Sequence, residues 1–241
     1  MKRLENKVAV IYGAGAIGSA TAKAFAEEGA NVFLKSYAQL DATNEQAVEA
    51  QLDDVINKAG RIDISFNAMG IPQKGIQGIG LTELSVDSFM HPVITYLKAH
   101  FITARAAARR MVKQGNGVIL MHTPNASRIS PPFVGGMVPA WAAMEALCRS
   151  LSVECSPYGV RAVSLLTTGI PETPLIDEVW DIHGKSHGIT FEQFHTGMEE
   201  KTHRGKLTTL AELTDTAVFV ASDQGSAITG TLVNLTAGMI I

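Results

Sequence analysis

The chain has 241 residues, 46% of them hydrophobic and 18% charged, and a net charge of −3. This composition fits one globular domain long enough to bury a sizeable core. It lacks the basic excess that nucleic acid would require, and no apolar run approaches the ~20 residues needed to cross a bilayer.

Met1–Asn6 leads directly into the first strand and leaves no space for a signal peptide, so a cytoplasmic location is expected. Val8-Ala9-Val10-Ile11-Tyr12 reads as a buried strand that enters the turn Gly13-Ala14-Gly15-Ala16-Ile17-Gly18. The helix that follows is rich in small residues and closes at Gly29. Strand, Gly-x-Gly-x-x-Gly turn and helix in this order form a cradle for a dinucleotide pyrophosphate. The glycines let the backbone come close, and the helix start offers free N–H donors.

Asn31–Leu34 is a second strand, and a helix from Asn44 to Ala59 has Asn44 as its N-cap and Glu45 in its first turn. Between them, Tyr37–Leu40 looks like a further strand parallel to Asn31–Leu34, yet only Lys35 and Ser36 separate the two. Parallel neighbours need a crossover of a dozen or more residues. Either one strand is absent from the sheet or the sequence omits a crossover helix, and the second is the preferred expectation. A strand at Ile62–Asn67, a helix from about Val93 to Gln114, a strand at Gly117–Met121 and a loop to Pro139 follow. A helix Ala140–Ser156 carries Cys148 and Cys155, about 10 Å apart in rise, too far for a disulfide. Strand Val160–Leu166, a polar stretch from 171 to 206 that reads as a mobile lid, a helix Leu210–Ser222 and a strand Gly230–Leu235 complete the chain. The alternation predicts an α/β fold: one Rossmann-type, doubly wound parallel sheet in a three-layer α/β/α domain spanning 1–241.

Taken together, these segments resemble the short-chain dehydrogenase/reductase family over nearly the whole chain. Tyr12–Gly18 stands for that family's Thr-Gly-x-x-x-Gly-x-Gly turn, one residue short and with Tyr for Thr. Asp41 falls where the family bonds the adenine amino group, and Asn67-Ala68-Met69-Gly70 resembles its Asn-Ala-Gly segment. Thr168-Gly169-Ile170-Pro171-Glu172-Thr173 is similar to Pro-Gly-x-x-x-Thr, whose threonine touches the nicotinamide carboxamide. Leu147–Glu154, Pro157–Arg161 and Ile228–Thr231 with Asn234 match further family segments. The resemblance implies NAD(P) bound by Gly13, Gly15, Ile17, Gly18, Lys35, Asp41, Ala42, Asn67, Ala68, Ile170 and Thr173. Lys35, in place of an acidic residue at the end of the second strand, tilts the choice toward NADP over NAD. A homodimer or homotetramer is implied as well, and no nucleic-acid or membrane partner is expected.

The catalytic residues of that family are the exception. Its tyrosine acid/base needs a nearby cation, because an unperturbed tyrosine (pKa about 10) is poorly poised at neutral pH. Met137 stands at the tyrosine position, Trp141 at the lysine, Pro124 at the serine and Tyr96 at the asparagine. His122 and Thr123, at the end of the fifth expected strand, are the available substitutes, with Ser127 beyond; the plainer roles are packing inside the sheet for His122 and capping of the loop for Thr123. Tyr96 is likewise expected to be packed on its helix. The His183-Gly184-Lys185-Ser186-His187 run has ligand-like spacing but no accompanying carboxylate motif, and no metal is expected. Two functions follow: hydride transfer between NAD(P) and a small carbonyl or enone substrate, or nucleotide binding without turnover as a sensor or partner subunit.

Overall fold

The computed structural model describes residues 2–184 and 188–240. Six strands form one parallel sheet: β1 Val8–Tyr12, β2 Asn31–Lys35, β3 Ile64–Asn67, β4 Gly117–Pro124, β5 Val160–Thr167 and β6 Thr231–Leu235. Their order across the sheet is β2-β1-β3-β4-β5-β6. The helices are α1 Ala16–Glu27, α2 Glu45–Ala59, α3 Val86–Gln114, α4 Ala126–Ile129, α5 Met137–Cys155, α6 Pro174–His183, α7 Phe191–Glu199 and α8 Leu210–Ala221. The expected doubly wound fold is therefore present.

Side-chain alternation along the strands builds two cores. Val8, Val10 and Tyr12 pack with α2, α3 and α5 on one face, while Ala9 and Ile11 pack with α1 and α8 on the other. β1 has β2 on one side and β3 on the other, so the chain reverses direction across the sheet at β1/β3. That reversal opens a crevice above the carboxyl ends of the strands, where ligands of such folds bind.

Five helices differ from expectation: α3, α6 and α7, the short α4 inside the expected loop, and α5, which begins three residues early at Met137. Asn44 caps α2 as expected, its side chain accepting from Ala47 N–H. The third helix starts earlier, at Val86, because the Ser85 side chain caps it and Pro92 is accommodated within the helix. The polar stretch expected to be a mobile lid holds two helices: α6, which begins at Pro174, and α7, which opens with a capping box between Thr190 and Gln193. Lys185–His187, part of the histidine run, lie outside the described residues.

Tyr37–Leu40 is not a strand. The chain runs unbroken from Lys35 into a turn in which the Gln39 and Leu40 N–H groups both donate to the Ser36 carbonyl. The absent strand is thus the outcome, and β2 becomes an edge of the sheet. The few residues between β2 and Asp41 suffice for a turn but not for a right-handed crossover.

Candidate coenzyme and active site

The glycine turn has the geometry of a phosphate cradle. Gly13 has φ +93° and a Cβ there would lie 2.8 Å from the Ala68 carbonyl oxygen, while a Cβ at Gly18 would come within 1.8 Å of the Gly13 carbonyl. Only glycine fits either position. Gly15, by contrast, faces open space and has nothing within 4 Å of its would-be Cβ. It is also the N-cap of α1 and offers no side chain to the first turn, so the helix start is left for an external acceptor.

The other sequence-predicted binding residues gather along the same edge of the sheet. Lys35 ends β2 opposite Tyr12, and Asn67 ends β3 opposite the same residue. The Asn67 side chain is fixed from both ends: it donates to Thr103 Oγ1 at 3.1 Å and accepts from the Met69 N–H at 3.1 Å. Ala68 N–H donates to the Tyr12 carbonyl. Asp41 accepts from the Thr43 backbone and hydroxyl at 2.8 and 2.7 Å, which holds the loop that carries buried Ala42. Beyond β5, the Thr173 hydroxyl donates to the Ile170 carbonyl at 2.8 Å and tightens the turn into α6.

Three of the four residues expected at catalytic positions are buried together. Tyr96, Met137 and Trp141 are buried in one cluster with Ile76, Val134, Ala140 and Met144. The Tyr96 and Trp141 rings lie 6.5 Å apart at 56°. Burial pushes the Tyr96 hydroxyl up to about 12, against hydrogen bonds from the Ile71 backbone and the Trp141 side chain, so it keeps its proton at neutral pH. Pro124 ends β4 and has no side-chain donor. His122 Nε2 meets the Thr167 hydroxyl at 2.8 Å, and burial together with neighbouring His100 holds its pKa down to about 4. Thr123 is fully buried and its hydroxyl lies 3.3 Å from that of Ser164 on β5; it does not cap the loop.

Two polar features escaped the sequence reading. Glu145 is 3% exposed on α5, where it meets the Ser127 hydroxyl at 2.6 Å and Arg128 at 2.6 Å. Its place on the buried Trp141–Met144–Cys148 face was the available signal. The other feature is a latch between α6 and the loop after β3. Glu178 accepts from the Gln73 N–H at 2.9 Å, the Gln77 amide donates to the Gln73 side-chain oxygen, and His183 Nε2 lies 2.8 Å from Gln77 Oε1. Among the described residues, no three His, Cys, Asp or Glu side chains gather in a metal-binding group, and no helix is long and apolar enough to cross a membrane.

The protein family described as enoyl-(acyl carrier protein) reductase matches residues 34–240. An uncharacterized oxidoreductase of Bacillus subtilis, YxbG, is 31% identical over 95% of this chain and 89% of its own length. This chain belongs to the short-chain dehydrogenase/reductase family.

Tropinone reductase-like 2 of Erythroxylum coca is 30% identical over 95% of this chain and 88% of its own. Among solved structures, gox2181 superposes with a TM-score of 0.85 at 26% identity, covering 99% of this chain and 98% of that one. An NAD+-bound xylitol dehydrogenase shares the fold at a TM-score of 0.86 and 21% identity, covering 98% and 100%. The alignment with the Bacillus subtilis relative runs over 252 positions, more than the 241 residues of this short-chain family member. The relative therefore carries residues with no counterpart in this chain.

Proposed function

We propose that the chain is an NAD(P)-dependent oxidoreductase of the short-chain type, acting on a small conjugated carbonyl compound at its alkene carbon. The observation that carries this reading is the glycine turn, closed to side chains at Gly13 and Gly18 and open at Gly15, beside an uncapped helix start. Gly13, Gly15, Ile17 and Gly18 would hold the pyrophosphate, Lys35 the 2′-phosphate of NADP, Asp41 and Ala42 the adenine, and Asn67, Ala68, Ile170 and Thr173 the nicotinamide half. Bound there, the coenzyme supplies or accepts a hydride. The chain's own part is to orient the ligand, since Met137 and Trp141, which the resemblance puts at the acid/base positions, supply no acid of their own. Conjugated alkenes suit such a site because the carbon can be protonated by water, whereas a simple carbonyl calls for a positioned acid.

A second reading, coenzyme binding without turnover, is favoured by one specific observation: Tyr96, Met137 and Trp141, which the resemblance puts at catalytic positions, are buried in one packed cluster. Titration with NADPH and NADH, followed by an oxidation screen over enones and carbonyls, separates the two. Binding with enone-dependent NADPH oxidation supports the first, binding without oxidation supports the second, and no binding refutes both. Met137→Tyr with Trp141→Lys then restores carbonyl activity if only the proton donor is lacking. The location proposed is cytoplasmic. The proposed homo-oligomer uses the apolar groove of about 590 Å³ between Met90, Val93, Ile94, Leu97, Phe101 and Leu147.

A further inference from the structure

The loss of an outer strand changes the surface of the molecule at β2. Asn31 N–H donates to the Lys7 carbonyl and Gly13 N–H donates to the Lys35 carbonyl, so the odd-numbered residues of β2 face β1. Strand geometry then turns the N–H and C=O groups of Val32 and Leu34 away from the sheet. Among the described residues, β2 pairs with β1 alone. Its side chains are only half covered: Phe33 lies against one core, and Val32 and Leu34 lie against the other. The strand contains no proline or bulge, and its single charge, Lys35, sits at its end. Such an edge is a template for another strand.

We infer that β2 pairs antiparallel with β2 of a second copy of this chain, about a two-fold axis through Phe33, to make one continuous sheet across the pair. The edge is self-complementary in this register. Val32 exchanges both backbone hydrogen bonds with Leu34 of the second copy, and Leu34 does so with its Val32. The two Phe33 residues form the close, non-hydrogen-bonded pair, with Cβ atoms about 4.5–5.5 Å apart. Val32 and Leu34 meet across the other face, so apolar surface is covered on both sides. Lys35 comes opposite Asn31 of the second copy, never opposite the other Lys35, so the register brings no like charges together. Any register that set Lys35 against Lys35 would do so and would also lose the Val32–Leu34 exchange. The same patch meeting itself gives a closed, isologous contact. This contact lies on the opposite edge of the sheet from β6 and does not depend on the coenzyme reading.

Sedimentation velocity on the full chain tests it, with substitutions at exposed Asn31 that leave the fold intact. Asn31→Lys sets like charges opposite each other twice per pair and weakens the dimer dissociation constant about 3- to 30-fold, whereas Asn31→Glu tightens it over a similar range. Leu34→Pro removes an outward N–H that the monomer does not use and lowers the mass of the assembly. Phe33→Cys, made together with Cys155→Ser because Cys155 is a half-exposed free thiol, gives a covalent dimer on mild oxidation, while Cys155→Ser alone, with Cys148 buried, does not. Equal dissociation constants for the two Asn31 variants, or an assembly that Phe33→Cys fails to cross-link, overturn the proposal.

Discussion

His100 ties the stability of this fold to acid. Its imidazole is 2% exposed. Nδ1 lies 2.9 Å from the Tyr96 carbonyl and therefore carries the proton, while Nε2 finds no hydrogen-bond partner among the described residues. Burial holds the pKa down to about 4, against an ordinary 6.5. The folded chain keeps this histidine neutral, whereas the unfolded chain takes up a proton once the pH drops below 6.5. Stability is thus complete above 6.5 and lost progressively between 6.5 and about 4. At ~1.4 kcal/mol per unit of pH, the difference amounts to about 2 kcal/mol by pH 5 and about 3 kcal/mol below pH 4. His122, held to about 4 by burial and by His100, contributes with the same sign. Urea unfolding at pH 7 and pH 5 measures the effect. His100→Asn keeps a donor for the Tyr96 carbonyl and removes the titration, so its loss between the two pH values should be smaller than that of the unsubstituted chain by about 2 kcal/mol. An identical loss in both proteins refutes the argument.

Two other substitutions separate binding from stability. Gly15→Ala adds a methyl group into open space and should cost no more than about 1 kcal/mol of stability, the loss of a glycine N-cap, yet lower nucleotide affinity at least tenfold in a fluorescence titration. Gly18→Ala, with its Cβ 1.8 Å from the Gly13 carbonyl, should lose both affinity and thermal stability. Arg128→Ala leaves the buried Glu145 carboxylate without its half-exposed cation and should cost about 1–2 kcal/mol in chemical denaturation. Adding Glu145→Gln should restore part of that loss, because a neutral amide can still accept from Ser127.

The sheet and the glycine turn were readable because each is encoded in a few adjacent residues. Val8–Tyr12 is apolar throughout, as a central parallel strand must be, and Gly13, Gly15 and Gly18 stand at the spacing that a close backbone approach demands. The expectation that Met137, Trp141 and Tyr96 take the family's catalytic positions came from the sequence, but their contacts did not: Tyr96, Trp141 and Ile76 come from three separate parts of the chain, and their packing has no local signature. The partner of Glu145 was hidden for the same reason, as Arg128 lies across a loop from α5. Tyr37–Leu40 misled because its residues suit a strand, and only the shortness of the connection shows that no strand can form there.

The chain Glu178–Gln73–Gln77–His183 fastens α6 to the loop beyond β3 at two points about a turn and a half of helix apart. Gln77 is the shared member of that chain, so shortening it to alanine should loosen the His183 end of α6 while Glu178 stays bonded to Gln73, and amide exchange should rise at that end of the helix first.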